Sequence, residues 1–238
     1  MHERLIDPIQ ATFRGGVAEP LHDWFPYLEG YSPEFVTSVL DAFAPSAKRV
    51  LDPFAGTGTT PLTAARAGIR CYYCELNPLL QYLLETKAKV VALSERDRLH
   101  LSAQLSKLAT ALPTQVDEFD PDYRLAQAYH ETFGDSEFFP PEALVACLKL
   151  RSWLDALHCT SPRAAAVGTV AVVAALIPCS NMIRRGDLRF RKGSECKAIN
   201  PDMYGEVVER LHAMARDIAQ LETAEESPLL ISADAKRL

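Results

Sequence analysis

The chain has no segment typical of secretion or of membrane insertion. Its 238 residues open on a polar stretch, Met1-His2-Glu3-Arg4, without the apolar region of a secretory signal. The longest apolar run, residues 164–177, is shorter than the roughly 20 residues that a membrane-spanning helix needs, and Gly168 and Thr169 interrupt it. We therefore expect a cytoplasmic protein with no membrane partner, and we interpret this run as a buried helix.

The cysteines and the net charge argue against two further classes of protein. Six cysteines are scattered along the chain, and the pair Cys71 and Cys74 has no second pair at the spacing of zinc ligands. We expect reduced thiols and no metal site. The net charge of -6 is not that of a generally basic nucleic-acid-binding protein, so any basic binding surface must be local.

A tight glycine turn between a strand and a helix is the most informative feature that is present. Residues 48–54 have the pattern of a buried strand, and residues 59–67 have that of a helix. Gly56 and Gly58 between them allow a sharp turn and a close approach to a ligand. The first N–H groups of the helix lack intrahelical acceptors, so they are available to a ligand in the crevice.

The residues around the turn do not match two common phosphate-binding motifs. A Walker loop requires a lysine that this segment lacks, and Pro61 occupies the third glycine position of a dinucleotide fingerprint. Asp52, directly before the turn, favours a ligand that carries positive charge. Glu75 ends the next predicted strand, residues 69–75, where its carboxylate could accept hydrogen bonds from ribose hydroxyls. This combination indicates a nucleoside cofactor with a cationic group.

Beyond these two strand–helix units the alternation stops. Helical patterns follow at 94–112, 140–157 and 162–177, with a loop-like segment at 113–139, and Asn200 is predicted to cap a last helix after an irregular basic stretch at 178–199. Residues 227–234 form a short apolar strand that ends in an acid. We predict an N-terminal segment with cofactor-binding units at 1–90, a helical insert subdomain at 91–225 and a third strand returning to the sheet at 226–238.

Several segments resemble DNA amino-methyltransferases, which transfer the methyl group of S-adenosylmethionine (AdoMet) to adenine N6 or cytosine N4. Residues 52–59 resemble the family's AdoMet motif, and Tyr31-Ser32-Pro33 is similar to the segment that holds the methionine end. Glu75-Leu76-Asn77 is similar to the ribose-binding segment, and Asp234-Ala235 to the acid near the adenine. The cofactor-binding residues that the resemblance implies are Tyr31, Ser32, Pro33, Asp52, Pro53, Phe54, Ala55, Gly56, Thr57, Gly58, Thr59, Thr60, Glu75, Leu76, Asn77, Asp234 and Ala235. It also implies an α/β fold: a Rossmann-like class I methyltransferase sheet, here strands 1 to 3, with a large α-helical insert.

The catalytic loop of that family is absent from the sequence. The family's loop has a polar residue, two prolines and an aromatic residue, whereas Pro140-Pro141 here follows Phe139 and precedes Glu142, as at a helix start. In the family's sheet the fourth strand pairs with the first, so strand one would be left as an apolar edge. Either the remaining strands belong to a further part of the same protein, or another polypeptide supplies them. We expect no catalytic residue in this chain and, as the leading prediction, a second polypeptide that completes the sheet in a heterodimer.

A basic cluster near residue 190 is the candidate nucleic-acid surface. Arg184, Arg185, Arg189, Arg191 and Lys192 lie close together in the sequence, with Phe190 among them. Such a cluster suits phosphate contacts, although a solvated loop has the same composition. The resemblance favours double-stranded DNA as its partner.

Three functions compete at this point. The leading hypothesis is the AdoMet-binding half of a split DNA amino-methyltransferase of a restriction-modification or other defence system. A fragment of an RNA guanine-N2 methyltransferase is an alternative, because its glycine motif is similar. A non-catalytic AdoMet-binding scaffold subunit is the third possibility, because the catalytic loop is missing.

Overall fold

A computed structural model of the chain describes residues 11–12, 19–222, 224 and 226–237. The chain divides into two compact units. The sheet unit comprises Met1–His100 and Asp217–Leu238, and the helical unit comprises Leu101–Arg216. In chain order, the helices and strands are α1 (Pro33–Phe43), β1 (Arg49–Asp52), α2 (Thr59–Arg66), β2 (Arg70–Cys74), α3 (Pro78–Val91), α4 (Glu95–Asp117), α5 (Tyr123–Phe133), α6 (Pro141–Thr160), α7 (Pro162–Ala175), β3 (Met182–Arg185), β4 (Asp187–Phe190), α8 (Met203–Gln220) and β5 (Leu229–Ser232).

The three strands of the sheet unit are parallel and lie in the order β1-β2-β5. Leu51 pairs with Tyr72, and Tyr72 pairs with Leu229. Because the strands are parallel, their carboxyl ends meet at one edge of the sheet, which brings the residues after β1, β2 and β5 to the same side. The predicted mixed α/β class with a small parallel sheet is confirmed.

Local sequence signals explain where the helices beside these strands begin. Ser32 Oγ accepts a hydrogen bond from the Phe35 N–H at 3.2 Å, and Asn77 Oδ1 accepts one from the Leu79 N–H at 2.9 Å. A proline at the first position of α1 and of α3 fits there, because that position needs no N–H donor. Serine and asparagine are both favoured at this cap position.

The sheet is only partly covered. On the face that α3 covers, the buried Tyr73 packs against Ala55 and against Leu84 of α3, whereas Leu230, which pairs with Tyr73, is 38% exposed. On the opposite face Leu51 is 52% exposed and Leu229 is 47% exposed. Among the described residues β1 pairs with β2 alone, so its other side has unpaired backbone groups beside apolar side chains.

The helical unit packs around α7. Most of that helix is buried, and Gly168 lets it approach α6, because a Cβ there would lie 2.9 Å from Leu154 Cδ2. The predicted buried helix over residues 164–177 is thereby confirmed, with its end at Ala175. Across the described part of the chain, no helix combines the length and the apolar character of a membrane span.

The prediction of a loop over residues 113–139 is wrong. α4 continues through Pro113 to Asp117, and Leu112 and Val116 beside that proline are fully buried. Their packing outweighs the hydrogen bond that a proline removes from a helix interior. A further helix, α5, follows, because the Asp122 carboxylate caps it by accepting a hydrogen bond from the Leu125 N–H at 3.0 Å.

Two further predictions in the helical unit need correction. The basic stretch is not wholly irregular, because β3 and β4 form an antiparallel hairpin that turns at Gly186. The cap of α8 is Asp202 rather than Asn200. Asp202 Oδ1 accepts a hydrogen bond from the Gly205 N–H at 2.8 Å, whereas Asn200 Oδ1 accepts one from the Asp202 N–H before the helix.

Candidate functional site

The glycine turn after β1 has a backbone shape that only glycine adopts readily. Gly56 has φ of 55° and Gly58 has φ of 97°, both in the left-handed region. Space is also limited on both sides. A Cβ at position 56 would lie 3.1 Å from the Tyr27 ring, and one at position 58 would lie 2.7 Å from Leu84 Cγ. The turn therefore requires glycine at these positions for conformation and for packing.

Backbone hydrogen bonds fix this turn to the sheet. The Ala55 N–H donates to the Cys74 carbonyl at 3.0 Å, which ties the turn to β2. The Gly58 N–H donates back to the Ala55 carbonyl at 2.8 Å and closes the turn. The first-turn N–H groups of α2, at Thr59 and Thr60, have no acceptor within their own helix, so the turn directs donors towards the edge of the sheet.

Two carboxylates flank the turn at the ends of β1 and β2. Glu75 Oε2 accepts a hydrogen bond from the Gly56 N–H at 2.7 Å, and its Oε1 accepts one from the Asn77 N–H at 2.8 Å. Asp52 Oδ1 accepts one from the Phe54 N–H at 3.0 Å. Each carboxylate oxygen has two lone pairs. Both side chains are therefore held by the backbone and retain acceptor capacity for a ligand.

Tyr31 links the segment before α1 to the turn. Its hydroxyl lies 2.6 Å from Thr60 Oγ1 and donates to Asp52 Oδ2 at 3.5 Å. Burial raises the pKa of Tyr31, so the hydroxyl stays protonated and remains a donor at neutral pH. Ser32 is buried and uses its Oγ to cap α1, so its role in the structure is to begin that helix.

Exposed apolar side chains stand on both sides of the carboxylates. Phe54 is 81% exposed and Leu76 is 71% exposed, although each adjoins a buried strand end. Asp234 follows β5 at the same edge, because Ser232 pairs with Cys74. Its N–H donates to Ser232 Oγ at 3.2 Å, and its Oδ1 accepts from the Lys236 N–H at 2.9 Å. Acceptors, donors and apolar surface thus share one edge of the sheet.

Most of the predicted cofactor residues meet at this edge. Those on the turn and beside it are Tyr31, Asp52, Pro53, Phe54, Ala55, Gly56, Thr57, Gly58, Thr59, Thr60, Glu75, Leu76 and Asn77. Asp234 and Ala235 follow the third strand at the same side of the sheet. Ser32 and Pro33 form the start of α1.

Lys87 is a polar neighbour of the turn that the sequence-based prediction missed. Its side chain is fully buried, and its Nζ donates to the Thr57 carbonyl at 3.2 Å. A signal for it exists in the sequence. The buried residues Leu83, Leu84 and Val90 of α3 define a helical face, and a lysine stands on that face where the period predicts an apolar residue.

The basic cluster lies on the β3–β4 hairpin and its continuation, in the helical unit. Arg189 donates to both carboxylate oxygens of Glu195, at 2.9 and 3.0 Å, and Arg185 Nε lies 3.8 Å from the same carboxylate. Arg191 Nε donates to the Ser180 carbonyl at 3.2 Å, and the Lys192 N–H donates to Glu195. The hydrogen bonds from Arg189 and from the Lys192 N–H hold the pKa of Glu195 at about 2. Two of the five predicted phosphate-binding side chains, Arg185 and Arg189, therefore have an internal counter-charge.

No metal centre accompanies these two groups of residues in the described ranges. Within 11–12, 19–222, 224 and 226–237, no group of three or more His, Cys, Asp or Glu side chains is placed to hold a metal ion. All six cysteines are free, and three of them, Cys71, Cys74 and Cys179, are buried.

Part of the chain is similar to proteins named type II methyltransferases. It is 29% identical over 110 residues to the type II methyltransferase M.BsoBI of Geobacillus stearothermophilus, a match that covers 45% of this chain and 21% of that protein. It is 33% identical over 88 residues to the type II methyltransferases M.AvaI of Nostoc sp. and of Anabaena variabilis, matches that cover 37% of this chain and 18% of each relative. No protein-family model and no solved structure matches the chain. The chain spans about a fifth of the length of these curated relatives, and this weak homology supports a methyltransferase.

Proposed function

We propose that this chain is the AdoMet-binding part of a DNA amino-methyltransferase of a restriction-modification system, with adenine N6 or cytosine N4 as the methyl acceptor. The carrying observation is the edge of the parallel sheet, where Asp52, Glu75 and Asp234 lie at the carboxyl ends of three neighbouring strands around a left-handed glycine turn. The similarity to type II methyltransferases supports the same conclusion.

The groups at this edge fit the chemistry of AdoMet. Asp52 offers a buried carboxylate to a cationic ligand, and Glu75 offers free lone pairs to ribose hydroxyls. The exposed side chain of Leu76 offers apolar surface to a purine, with Asp234 and Ala235 at the third strand on the adenine side. Bound AdoMet supplies an activated methyl group, and the residues of this chain bind and orient it.

Calorimetry with AdoMet tests the cofactor site. Asp52→Ala and Glu75→Ala should each weaken binding at least tenfold, equivalent to about 1.4 kcal/mol, because each removes an acceptor that the backbone has already oriented. Asp41→Ala is the matched control, since Asp41 is an exposed acid at the far end of α1 from Ser32. Unchanged affinity in both site variants would refute the assignment.

We further propose that a second polypeptide supplies the catalytic Pro-Pro loop and completes the sheet. The Pro140-Pro141 pair forms the start of α6, which supports a location of the catalytic loop outside these 238 residues. The unpaired side of β1 and the exposed Leu51, Leu229 and Ile231 support a partner strand and covering helices. We expect a heterodimer interface larger and more apolar than a transient contact.

Transfer of a radiolabelled methyl group to DNA tests this arrangement. The purified chain should bind AdoMet without transferring methyl groups, and the complex with its partner should methylate double-stranded DNA. Full activity of this chain alone would show that the catalytic loop lies within it. In the complex, the basic hairpin residues Arg184, Arg185, Arg189, Arg191 and Lys192 are the proposed phosphate contacts.

A further inference from the structure

Lys87 occupies a position in α3 that a lysine rarely occupies. Leu83 and Leu84 on one side of it and Val90 and Val91 on the other are buried, and Lys87 itself is 0% exposed. Buried charged groups are unfavourable unless they are paired. An apolar residue at this position would continue the core without that penalty, so the presence of a lysine needs a physical reason.

The surroundings of Lys87 provide one specific contact. Its Nζ donates to the Thr57 carbonyl at 3.2 Å, and the described residues place no carboxylate at ion-pair distance from it. Its charge acts on another basic residue: burial, together with the charges of Lys87 and Arg66, lowers the pKa of His22 to about 3. Burial likewise lowers the pKa of Lys87 to about 7. Among the described residues, the Thr57 carbonyl of the glycine turn is the group that is seen to accept a hydrogen bond from the ammonium.

That carbonyl belongs to the peptide between Thr57 and Gly58, at the centre of the turn. The N–H of this peptide is bound on one side to the Ala55 carbonyl, and its carbonyl is bound on the other side to Lys87. The Gly56 N–H is bound to Glu75. The contact from α3 therefore fixes the carbonyl side of a peptide plane whose N–H side is held by the Ala55 carbonyl.

We propose that Lys87 is a positioning residue of the cofactor site, which holds the Thr57 carbonyl from the core and keeps the glycine turn in its ligand-binding shape at some loss of fold stability. The inference rests on the proposed function for its ligand. The proposal predicts that a single substitution has two opposite effects. Removing the ammonium removes an unfavourable buried charge and, at the same time, releases the turn.

Lys87→Met in the full 238-residue chain tests this separation. Methionine keeps an unbranched apolar side chain in the core and cannot donate to Thr57. We expect an unchanged or higher melting temperature, AdoMet binding weakened at least tenfold by calorimetry, and amide exchange at residues 56–59 accelerated at least tenfold. Lys89→Met is the matched control, because Lys89 lies on the same helix, is exposed and pairs with Glu85. It should change none of the three.

Each outcome decides the proposal. A Lys87→Met chain that binds AdoMet within twofold of wild type, or one that loses affinity and melting temperature together, overturns it. If the Met variant does not fold, Lys87→Leu is measured with the same readouts. An absence of AdoMet binding to the wild-type chain would refute the proposed function instead. The exchange rates at residues 56–59 then still test whether Lys87 holds the turn.

Discussion

The chain places its positive charges in two contrasting ways. Lys87 in the sheet unit is a fully buried cation whose ammonium donates to a single carbonyl. The hairpin of the helical unit carries several exposed arginines, of which Arg185 and Arg189 share the carboxylate of Glu195. The first arrangement is energetically unfavourable and involves a single backbone turn. The second has little energetic cost, because its side chains are open to solvent.

This difference teaches that a charge count does not measure binding capacity. The hairpin has the larger number of cations, but part of its charge is already balanced by Glu195. The glycine turn has fewer charged groups beside it, yet its donors and acceptors are fixed by hydrogen bonds before any ligand arrives. Pre-orientation of a few groups is worth more for a small ligand than an excess of mobile charge.

The largest predicted difference between the two regions is the loss of stability when the glycine of each turn is replaced by alanine. Gly58→Ala should destabilise the chain by about 2–5 kcal/mol, because left-handed backbone disfavours alanine by about 1–2 kcal/mol and overpacking against Leu84 adds about 1–3 kcal/mol. Gly186→Ala at the hairpin has φ of 80° but no atom within 4 Å of its added Cβ, so only the backbone term of about 1–2 kcal/mol applies. Chemical denaturation of both variants measures the difference. Equal losses would mean that Leu84 moves aside freely.

A smaller, pH-dependent effect is expected for the buried cation. The pKa of Lys87 is about 7 in the fold against 10.5 as its ordinary value, so between these values the unfolded chain binds more protons and wild-type stability rises with pH. The stability advantage of Lys87→Met should therefore be largest below pH 7 and shrink towards pH 10.5, by at most about 1.4 kcal/mol per pH unit.

Urea unfolding of the wild type and of Lys87→Met at pH 6, 8 and 10 measures this convergence. His22 stays neutral in the fold at these pH values, because its pKa is about 3, and its protonation in the unfolded chain near its ordinary value of 6.5 is common to both chains. Groups that titrate equally in both chains cancel in the difference. A constant stability gap across the three pH values would show that Lys87 titrates normally in the fold.

The smallest effect is expected at the hairpin. Glu195→Gln removes the counter-charge of Arg185 and Arg189 while it keeps the side-chain shape. If the proposed complex binds DNA through this hairpin, its DNA binding should become tighter and more salt-dependent, by up to ~0.9 in slope per released arginine. Asp155→Asn is the control, because it removes an equal charge from an exposed pair with Arg151 on α6. A salt slope that changes equally in both variants would assign the effect to net charge and not to the hairpin.

The elements of the sheet unit are predictable because each depends on a short local signal. Ser32 and Asn77 cap α1 and α3 where they stand in the sequence, and Gly56 and Gly58 adopt the backbone that their residue type favours. The acids Asp52 and Glu75 come to the turn because parallel strands end at one edge. These steps follow from short local signals together with the general geometry of a parallel sheet.

The remaining features depend on contacts between distant residues. Helix α4 passes through Pro113 because Leu112 and Val116 are buried on both sides of it, and no local rule predicts that burial. The pairing of Arg189 with Glu195 likewise depends on a hairpin that the sequence indicates only through Gly186. Lys87 is an intermediate case, because its helical period predicts a buried position, although the carbonyl that it binds is visible only in the fold.

The third strand of the sheet also has a consequence for the order in which the molecule assembles. β5 pairs with β2, yet helices α3 to α8 and the hairpin lie between them along the chain. Contacts of high sequence separation form late, whereas neighbouring helices such as α6 and α7 form early. During synthesis the helical unit is therefore complete before β5 leaves the ribosome. Until then β1 and β2 form a two-stranded ribbon whose apolar side chains are accessible to chaperones and to wrong partners.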